Sequence, residues 1–396
     1  MNWPAGWLRR KSITVSRASG AISGYQMKIL VGQSAGSSGY AVHAEGLCLL
    51  SFSDIRFTSG DGITQLPYYI ESVTGATPNQ TAVVWVKFDS IGTADTTFYM
   101  YYDNASASAA SSGSTFAALD DVEHGSNGDT LTTPWSTASG TATISTAHSY
   151  SGTRSIKLLG AATNVNIAYA VPASDNTAVS VWLYSESTYI GLLNYGNGSK
   201  RIALFCDSLN RLCYVDSSNN NVATSYTISP STWIRIEARH ISWTAGTYDL
   251  YANDTLVLAS VAMFTSNAFT NAITFYGDYS NGYNNWIDNL MVRSSVSPEP
   301  AFGSWGTAEP YPDYVPSIVL SPALVAPSIA TQSIVSGISV SPSLLSPSNH
   351  CEVAVQATVI EPQLLKPTGY RPLSVDTISN AGWVLTENNK RFIRGV

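Results

Sequence analysis

Charged side chains are scarce. Only 12% of the 396 residues are Asp, Glu, Lys or Arg, about half the share of an ordinary globular chain. That scarcity excludes charge-driven disorder, which needs high net charge and few aromatics, and helical bundles, which need Glu, Lys, Arg and Leu. A basic excess is lacking too. With a formal net charge of −7, no nucleic-acid partner held through its phosphates is expected. Four cysteines (Cys48, Cys206, Cys213, Cys351) are too few for a disulfide framework and have no zinc spacing. Cys206 and Cys213 flank a polar stretch, and a hairpin there would let them face each other. Five scattered histidines show no H-E-x-x-H pattern. No run of 18 apolar residues occurs and the opening Met1–Trp7 lacks an apolar signal core, so neither a membrane span nor a secretory signal is expected.

What is abundant is the material of β-structure. Hydrophobic residues make up 44% and aromatics 11%, interleaved with Gly, Ser, Thr and Asn. Residues 7–118 alternate apolar and polar positions as half-buried strands do, in Ser12–Val15, Tyr25–Val31, Asp54–Phe57, Leu66–Glu71, Thr81–Phe88 and Thr96–Tyr102. The Ala/Ser/Gly stretch Ala105–Ser114 reads as a linker. Residues 116–306 continue with ten or more short strands, which indicates a two-sheet sandwich or jelly roll, and Asn253-Asp254 marks a hairpin turn. The expected fold is all-β: two consecutive β-sandwich (jelly-roll) domains, 1–115 and 116–309, followed by an extended proline-rich repeat tail, 310–396.

The tail changes character. Ten of the 18 prolines lie at or after Pro310. A pattern x-Pro-x-Leu-(Val/Leu)-x-Pro recurs at Ser321–Pro327, Ser341–Pro347 and Glu361–Pro367, a spacing of 20 residues. Proline is excluded from central strands, and so small a unit must stack on copies or on a larger body. Copies of the same chain, in a homo-oligomer, or the chains of a larger body are the expected partners.

Charge placement points to the middle segment. Residues 119–309 carry 15 acidic and 8 basic groups, whereas residues 1–118 carry 7 of each and residues 310–396 carry 5 of each. Local carboxylate excess suits divalent cations. Asp120-Asp121-Val122-Glu123 opens this segment and Trp286-Ile287-Asp288-Asn289 closes it. If the first and last strands are neighbours, as in many jelly rolls, these carboxylates meet; otherwise Asp120 and Asp121 merely cap the linker. For ligand recognition, Tyr195 with Asn197, and Tyr279, Asn281 and Tyr283, combine aromatic rings with amides in Gly/Asn-rich stretches. Rings stack on apolar sugar faces while amides bond hydroxyls, and the same residues also make ordinary turns. No catalytic residue is expected. Gly32-Gln33-Ser34-Ala35-Gly36 matches G-x-S-x-G, but a loop and no helix follows, which the nucleophile elbow requires. Asp207, Asp216, Glu237 and Asp278 are the carboxylates a glycosidase could use, without an E-x-D-x-x-E signature.

Five motifs in order carry a resemblance over residues 3–118: Trp7–Ile13, Ser53–Thr58, Leu66–Glu71, Val84–Lys87 and Tyr99–Asn104. This segment resembles a domain of unknown function found in large prokaryotic surface proteins and virus structural proteins, typically preceding a concanavalin-A-like lectin/glucanase domain. The middle segment is similar to that lectin-like jelly roll and to carbohydrate-binding modules of the Phe-Glu-x-Gly type, through Val122–Gly125, Trp233–Ile236 and Ile287–Leu290. The resemblance implies a structural calcium near Glu123 and Asp288, although Val122 replaces the usual Phe and one Asp follows Ile287. The expected function is a non-enzymatic virion protein, a phage or archaeal-virus tail, fibre or capsid-decoration component, assembled in the host cytoplasm. Its lectin-like domain would bind a cell-surface glycan. A polysaccharide-degrading enzyme of the lectin/glucanase fold, a ligand-free spacer, and export to a cell surface are the alternatives.

The tail yields an energetic prediction. Three apolar side chains per unit, at about 1.5–3 kcal/mol each when fully buried, fall short of about 1 kcal/mol or more for ordering each residue. A peptide of residues 310–396 is therefore expected to give an unfolded circular dichroism spectrum and rapid proteolysis. A protease-resistant monomer would show that the repeat closes its own core.

Overall fold

The computed structural model describes residues 3–34, 41–160, 165–187, 192–266, 271–277, 282–312, 374–375, 385–387 and 390–391. The chain divides into two units, Met1–Ile318 and Val319–Val396. In the second, strands Ser374–Val375, Leu385–Glu387 and Lys390–Arg391 form one antiparallel sheet; the three proline repeats lie outside the described residues. The fold is nearly all β, with two single-turn 3-10 helices and no α-helix among the described residues. No described helix is long and apolar enough to cross a membrane.

The first unit contains two sandwiches. In the first, one sheet runs in the order Ala301–Phe302, Arg9–Ser16, Thr96–Tyr102, Arg56–Thr58, Gln65–Leu66, with Glu309–Pro310 also paired to Arg9–Ser16. Its partner sheet is Ala41–His43, Ile22–Gly32, Thr81–Ile91, Tyr68–Thr74. Alternate residues (Ile13, Val15, Phe98 and Met100 against Met27, Ile29, Val84 and Val86) close one core, as the period-two pattern requires. In the second sandwich, one sheet runs Trp135–Ser139, Asn166–Tyr169, Ile273–Tyr276, Leu192–Gly196, Lys200–Cys206, Arg211–Val215, Asn221–Thr227. The other runs Ala142–Ser145, Ser155–Leu158, Asn285–Ser294, Thr177–Ser185, Ile234–Ser242, Thr247–Ala252, Thr255–Ala262. Ala118–Asp120 pairs with Asn285–Ser294, so the opening and closing segments are neighbours as expected. The Asn253-Asp254 turn is present, both residues having positive φ (46° and 63°), which a type I′ hairpin needs.

Two boundaries differ from the sequence reading. Residues 301–309, expected in the second sandwich, and Pro310, expected in the tail, return to the first: Phe302 and Trp305 pack on its core, Glu309–Pro310 pairs with Arg9 and Arg10, and Tyr311 N–H donates to Leu8 O at 2.8 Å. The second sandwich is thus an insertion between strands of the first. The expected linker is pinned, with Ser112 N–H donating to Tyr68 O (2.8 Å) and Ile70 N–H to Ser111 Oγ (2.9 Å). Cys206 and Cys213 are both buried and offset by one register position, because Cys206 pairs with Leu212 and Phe205 with Cys213.

The sandwiches meet along one seam. Tyr69 and Trp85 of the first pack with Phe116 and Met291. Gln26 donates to Thr115 O (2.9 Å) and accepts from Ser294 N–H (2.9 Å). The Trp85 ring faces the guanidinium carbons of Arg293 and Arg235 at 5.4 and 5.6 Å, and its indole N–H donates to Glu71 (2.7 Å). Beneath it Glu237, 1% exposed, is bonded by Arg293 (3.0 Å) and Arg239 (2.8 Å), with Arg235 at 3.6 Å. Burial alone would raise the Glu237 pKa, but the three arginines hold it well below the usual carboxylate range.

Glu299 and His240 extend this network. Burial pushes Glu299 up, but the His240 hydrogen bond and the charges of Arg293 and Arg239 bring it down to about 2. The His240 pKa is raised, chiefly by its hydrogen bond to Glu299, against burial. A depressed carboxylate stabilises above its unfolded value of 4.5 and loses that as pH falls towards 2; a raised histidine stabilises below 6.5 and loses that as pH rises through its folded value. The pair's contribution should therefore peak between about pH 4.5 and 6.5 and fall on both sides, by on the order of 2 kcal/mol at the acid end after allowance for partial exposure. Urea unfolding across pH should show this maximum, and Glu299→Gln should flatten it.

Candidate functional site

The insertion's outer sheet face carries the rings. On Thr177–Ser185, Val179, Val181 and Leu183 enter the core, so Trp182 and Tyr184 point the other way. Trp286 is in register with Tyr184 on one side and Lys157 on the other. Trp233 immediately precedes Ile234–Ser242, and His148 and Tyr150 come from the loop before Ser155–Leu158. These six rings form one connected group. Tyr150 stacks on Trp182 (centroids 3.5 Å apart, planes 13°) and His148 on Tyr184 (4.3 Å, 21°). Trp286 meets His148 edge-on at 4.4 Å, and Trp233 lies 5.6 Å from Tyr184 and 6.3 Å from Tyr150. Trp286 is buried; the other five are half-buried.

The loop that supplies His148 and Tyr150 is held by two carboxylates. Asp288, fully buried, accepts from the N–H groups of Tyr150 (2.7 Å), Ser151 (3.3 Å) and Asn289 (2.8 Å). Glu123 accepts from the N–H groups of Thr153 (2.7 Å) and Arg154 (2.8 Å), the Thr153 hydroxyl (3.0 Å) and the Arg154 guanidinium (3.3 Å). Burial pushes the Asp288 carboxyl up to about 7 against these N–H groups, and the Glu123 charge adds to the rise. Gly152 has φ +58°, and a Cβ there would overlap the Glu123 carboxylate.

Beside the loop, a cleft of about 660 Å³ opens against strand Tyr68–Thr74 of the first sandwich. Glu71, Asp121, Glu123 and Tyr150 line it together with Tyr69 and Ser151. Each carboxylate is engaged: Glu71 by the indole N–H groups of Trp85 and Trp182 (2.7 and 3.2 Å), Asp121 by the Tyr69 hydroxyl (3.2 Å) and Glu123 N–H (3.3 Å), and Glu123 by the loop.

Of the residues named from sequence, Glu123 and Asp288 are brought to one loop. Tyr195 is 1% exposed, packs in the core and donates to Pro172 O (3.0 Å); strand alternation turns it inward, so its ring stacks on no surface ligand. The Asn197 side chain closes its own turn, accepting from Ser199 N–H (3.1 Å) and Lys200 N–H (2.7 Å). Tyr283 is exposed; Tyr279, Asn281 and Asp278 lie outside the described residues. Asp207 and Asp216 accept N–H groups of their own turns, Glu237 is enclosed by arginines, and Ser34 donates to Asn79 (2.7 Å). Of the six clustered rings, sequence reading reached only Trp233 and Trp286, in the motifs Trp233–Ile236 and Trp286–Asn289, and it missed the period-two signal of His148-x-Tyr150 and Trp182-x-Tyr184.

Residues 51–138 match a domain of unknown function, DUF2341. The match starts later than the expected residues 3–118 and runs through Asp120 into Trp135–Ser139 of the second sandwich. No curated protein matches the sequence. Among solved structures, the carbohydrate esterase vb_24B_21 of Shiga toxin-encoding bacteriophage phi24B is similar at 13% identity and TM-score 0.32, covering 41% of this chain and 90% of that one. Domain 4 of the extracellular arabinanase AbnA of Geobacillus stearothermophilus, in complex with arabinotriose, is similar at 15% identity and TM-score 0.32, over 41% and 82%. An endo-beta-1,4-glucuronan lyase of Trichoderma reesei is similar at 13% identity and TM-score 0.32, over 46% and 96%. Likeness at these values carries no functional argument.

Calcium takes six to eight oxygen ligands. The oxygens of Asp288 and Glu123 face N–H donors and an arginine, and among the described residues no three metal-ligating side chains converge. In this arrangement the residues do not fit a calcium ion. Melting curves in calcium and in EDTA are expected to coincide, whereas Gly152→Ala should lower the melting temperature by several degrees and change the near-ultraviolet circular dichroism of the ring cluster. A several-degree rise in calcium would show that the loop N–H groups give way to an ion.

Proposed function

We propose that the chain is a glycan-binding protein, with the saccharide seated on the half-buried rings of the inserted sandwich and in the adjoining cleft. The carrying observation is the six-ring cluster itself. Rings left half-exposed on a sheet face offer apolar area to a sugar ring, and Tyr and Trp do so with little side-chain entropy to lose. The hydroxyls of Ser151 and Tyr150 at the cleft give hydrogen-bonding groups beside them. Binding without turnover is supported by the state of the carboxylates: general acid–base work needs an oxygen within reach of the substrate's proton, and those of Glu71, Asp121 and Glu123 already hold indoles, a phenol and a loop. In the same reading the 310–396 tail attaches the chain to a virus particle or to its own copies; the support for this is the proline-punctuated repeat.

A glycan array followed by calorimetry on the full chain tests the reading. A saccharide should bind to the wild type, and Trp233→Ala and Tyr150→Ala should each weaken it about tenfold, a change of about 1.4 kcal/mol, in chains that still melt cooperatively. Silence of the wild type would leave the spacer reading. Release of reducing ends would reverse the choice in favour of an enzyme.

A further inference from the structure

Trp182 is the ring on which Tyr150 rests. It is half-buried, and Tyr150 covers one of its faces at 3.5 Å. Tyr150 in turn meets Trp233 at 6.3 Å and lines the cleft. The loop fixes Tyr150 only at its backbone, through the N–H that Asp288 accepts (2.7 Å); the plane of its ring is set by what it stacks on. An indole has one donor and no acceptor, so a single hydrogen bond decides how the Trp182 ring is turned. That bond leaves the inserted sandwich. The Trp182 N–H donates to Glu71 at 3.2 Å, on strand Tyr68–Thr74 of the first sandwich.

Glu71 suits this task chemically. It is 5% exposed, and its other oxygen accepts the Trp85 N–H at 2.7 Å. A carboxylate presents acceptors on both oxygens and no donor, so it can take two indoles at once, and its charge strengthens both bonds. Trp85 and Trp182 belong to different sandwiches. Glu71 thereby sets a ring of the inserted sheet face against a tryptophan fixed in the first sandwich.

We propose that Glu71 is the positioning residue of the ring surface: by taking the Trp182 N–H it holds the platform on which Tyr150 stacks, so that the first sandwich shapes the binding face of the inserted one. The inference rests on the glycan reading only for what that face is used for.

The test uses the full chain. Glu71→Gln keeps the size of the side chain but leaves one acceptor oxygen and an amide NH₂ that opposes an indole N–H. The oxygen should stay with Trp85, whose bond is the shorter, and Trp182 should be released. Near-ultraviolet circular dichroism should then show the Tyr150–Trp182 stack loosened. Among cellohexaose, xylohexaose and mannohexaose, any that binds the wild type should be weakened about fivefold, within the coupling expected of residues in direct contact. Trp182→Phe keeps a ring that needs no acceptor, so adding Glu71→Gln to it should change the spectrum little and weaken binding less than about twofold further. The charge of Glu71 also acts on Arg235; if its effect ran through Arg235, Glu71→Gln would cost as much on the Trp182→Phe background as on the wild type, and the proposal would fall. A wild-type spectrum in Glu71→Gln would overturn it equally. The unaltered chain gives a further check: the Trp182 indole N–H, identified in a nuclear magnetic resonance spectrum by its loss in Trp182→Phe, should be protected from hydrogen exchange, and exchange as fast as in free indole would refute the bond. If no hexasaccharide binds while the spectra and the exchange follow these expectations, the glycan reading fails and the positioning by Glu71 stands.

Discussion

A carboxylate enclosed by three arginines holds the two sandwiches in one arrangement. Glu237 pairs with Arg235, Arg239 and Arg293 on the outer face of the inserted sheet, Asp254 and Glu299 supply the two further negative charges, and Trp85 of the other sandwich lies over two of the arginines. Removing one member of such a buried set leaves uncompensated charge at a cost of about 3–5 kcal/mol, so the set behaves as a unit. Its consequence is positional. Trp85 and Trp182 are both tied to Glu71, which links the ion cluster to the cleft and, through Trp182, to the stacked rings.

The fold was largely legible because strands announce themselves by alternation. Alternating apolar residues marked the strands Arg9–Ser16 and Ile22–Gly32, nearly continuous apolar runs marked Thr81–Ile91 and Thr177–Ser185, and Asn253-Asp254 marked its turn by chemistry alone. What alternation could not reveal was membership. Ala301–Phe302 and Glu309–Pro310 are two residues long, too short to show a period, and their place in the first sandwich is decided by Phe302 and Trp305 finding its core. Thr255–Ala262 lies at a sheet edge with most positions exposed or half-exposed, and its start was marked only by the hairpin turn before it.

The site was less legible for a related reason. Tyr195 and Asn197 drew attention by composition, since aromatic and amide residues near glycines suit both sugars and turns. Burial decided between these: Tyr195 is in the core and Asn197 is a turn. Glu123 and Asp288, read from opposite ends of the domain, hold one loop because Ala118–Asp120 lies along Asn285–Ser294. Their oxygens hold the N–H groups of that loop, which carries Tyr150. The rings themselves come from four separate segments, and only the tertiary structure makes them one surface.

The insertion has a mechanical consequence. The inserted sandwich is entered after Thr96–Tyr102 and left before Ala301–Phe302, so both of its connections end in the first sandwich. Arg9 pairs with Pro310 and Arg10 with Glu309, antiparallel, and therefore the chain before Arg9 and the chain after Pro310 leave from the same end of that ladder. Tension applied between them peels these hydrogen bonds one at a time, the weak direction of a sheet, instead of shearing them together. The first sandwich would yield as a fuse at its Glu309–Pro310 edge while the inserted sandwich, outside the line of force, keeps its ring surface unstrained.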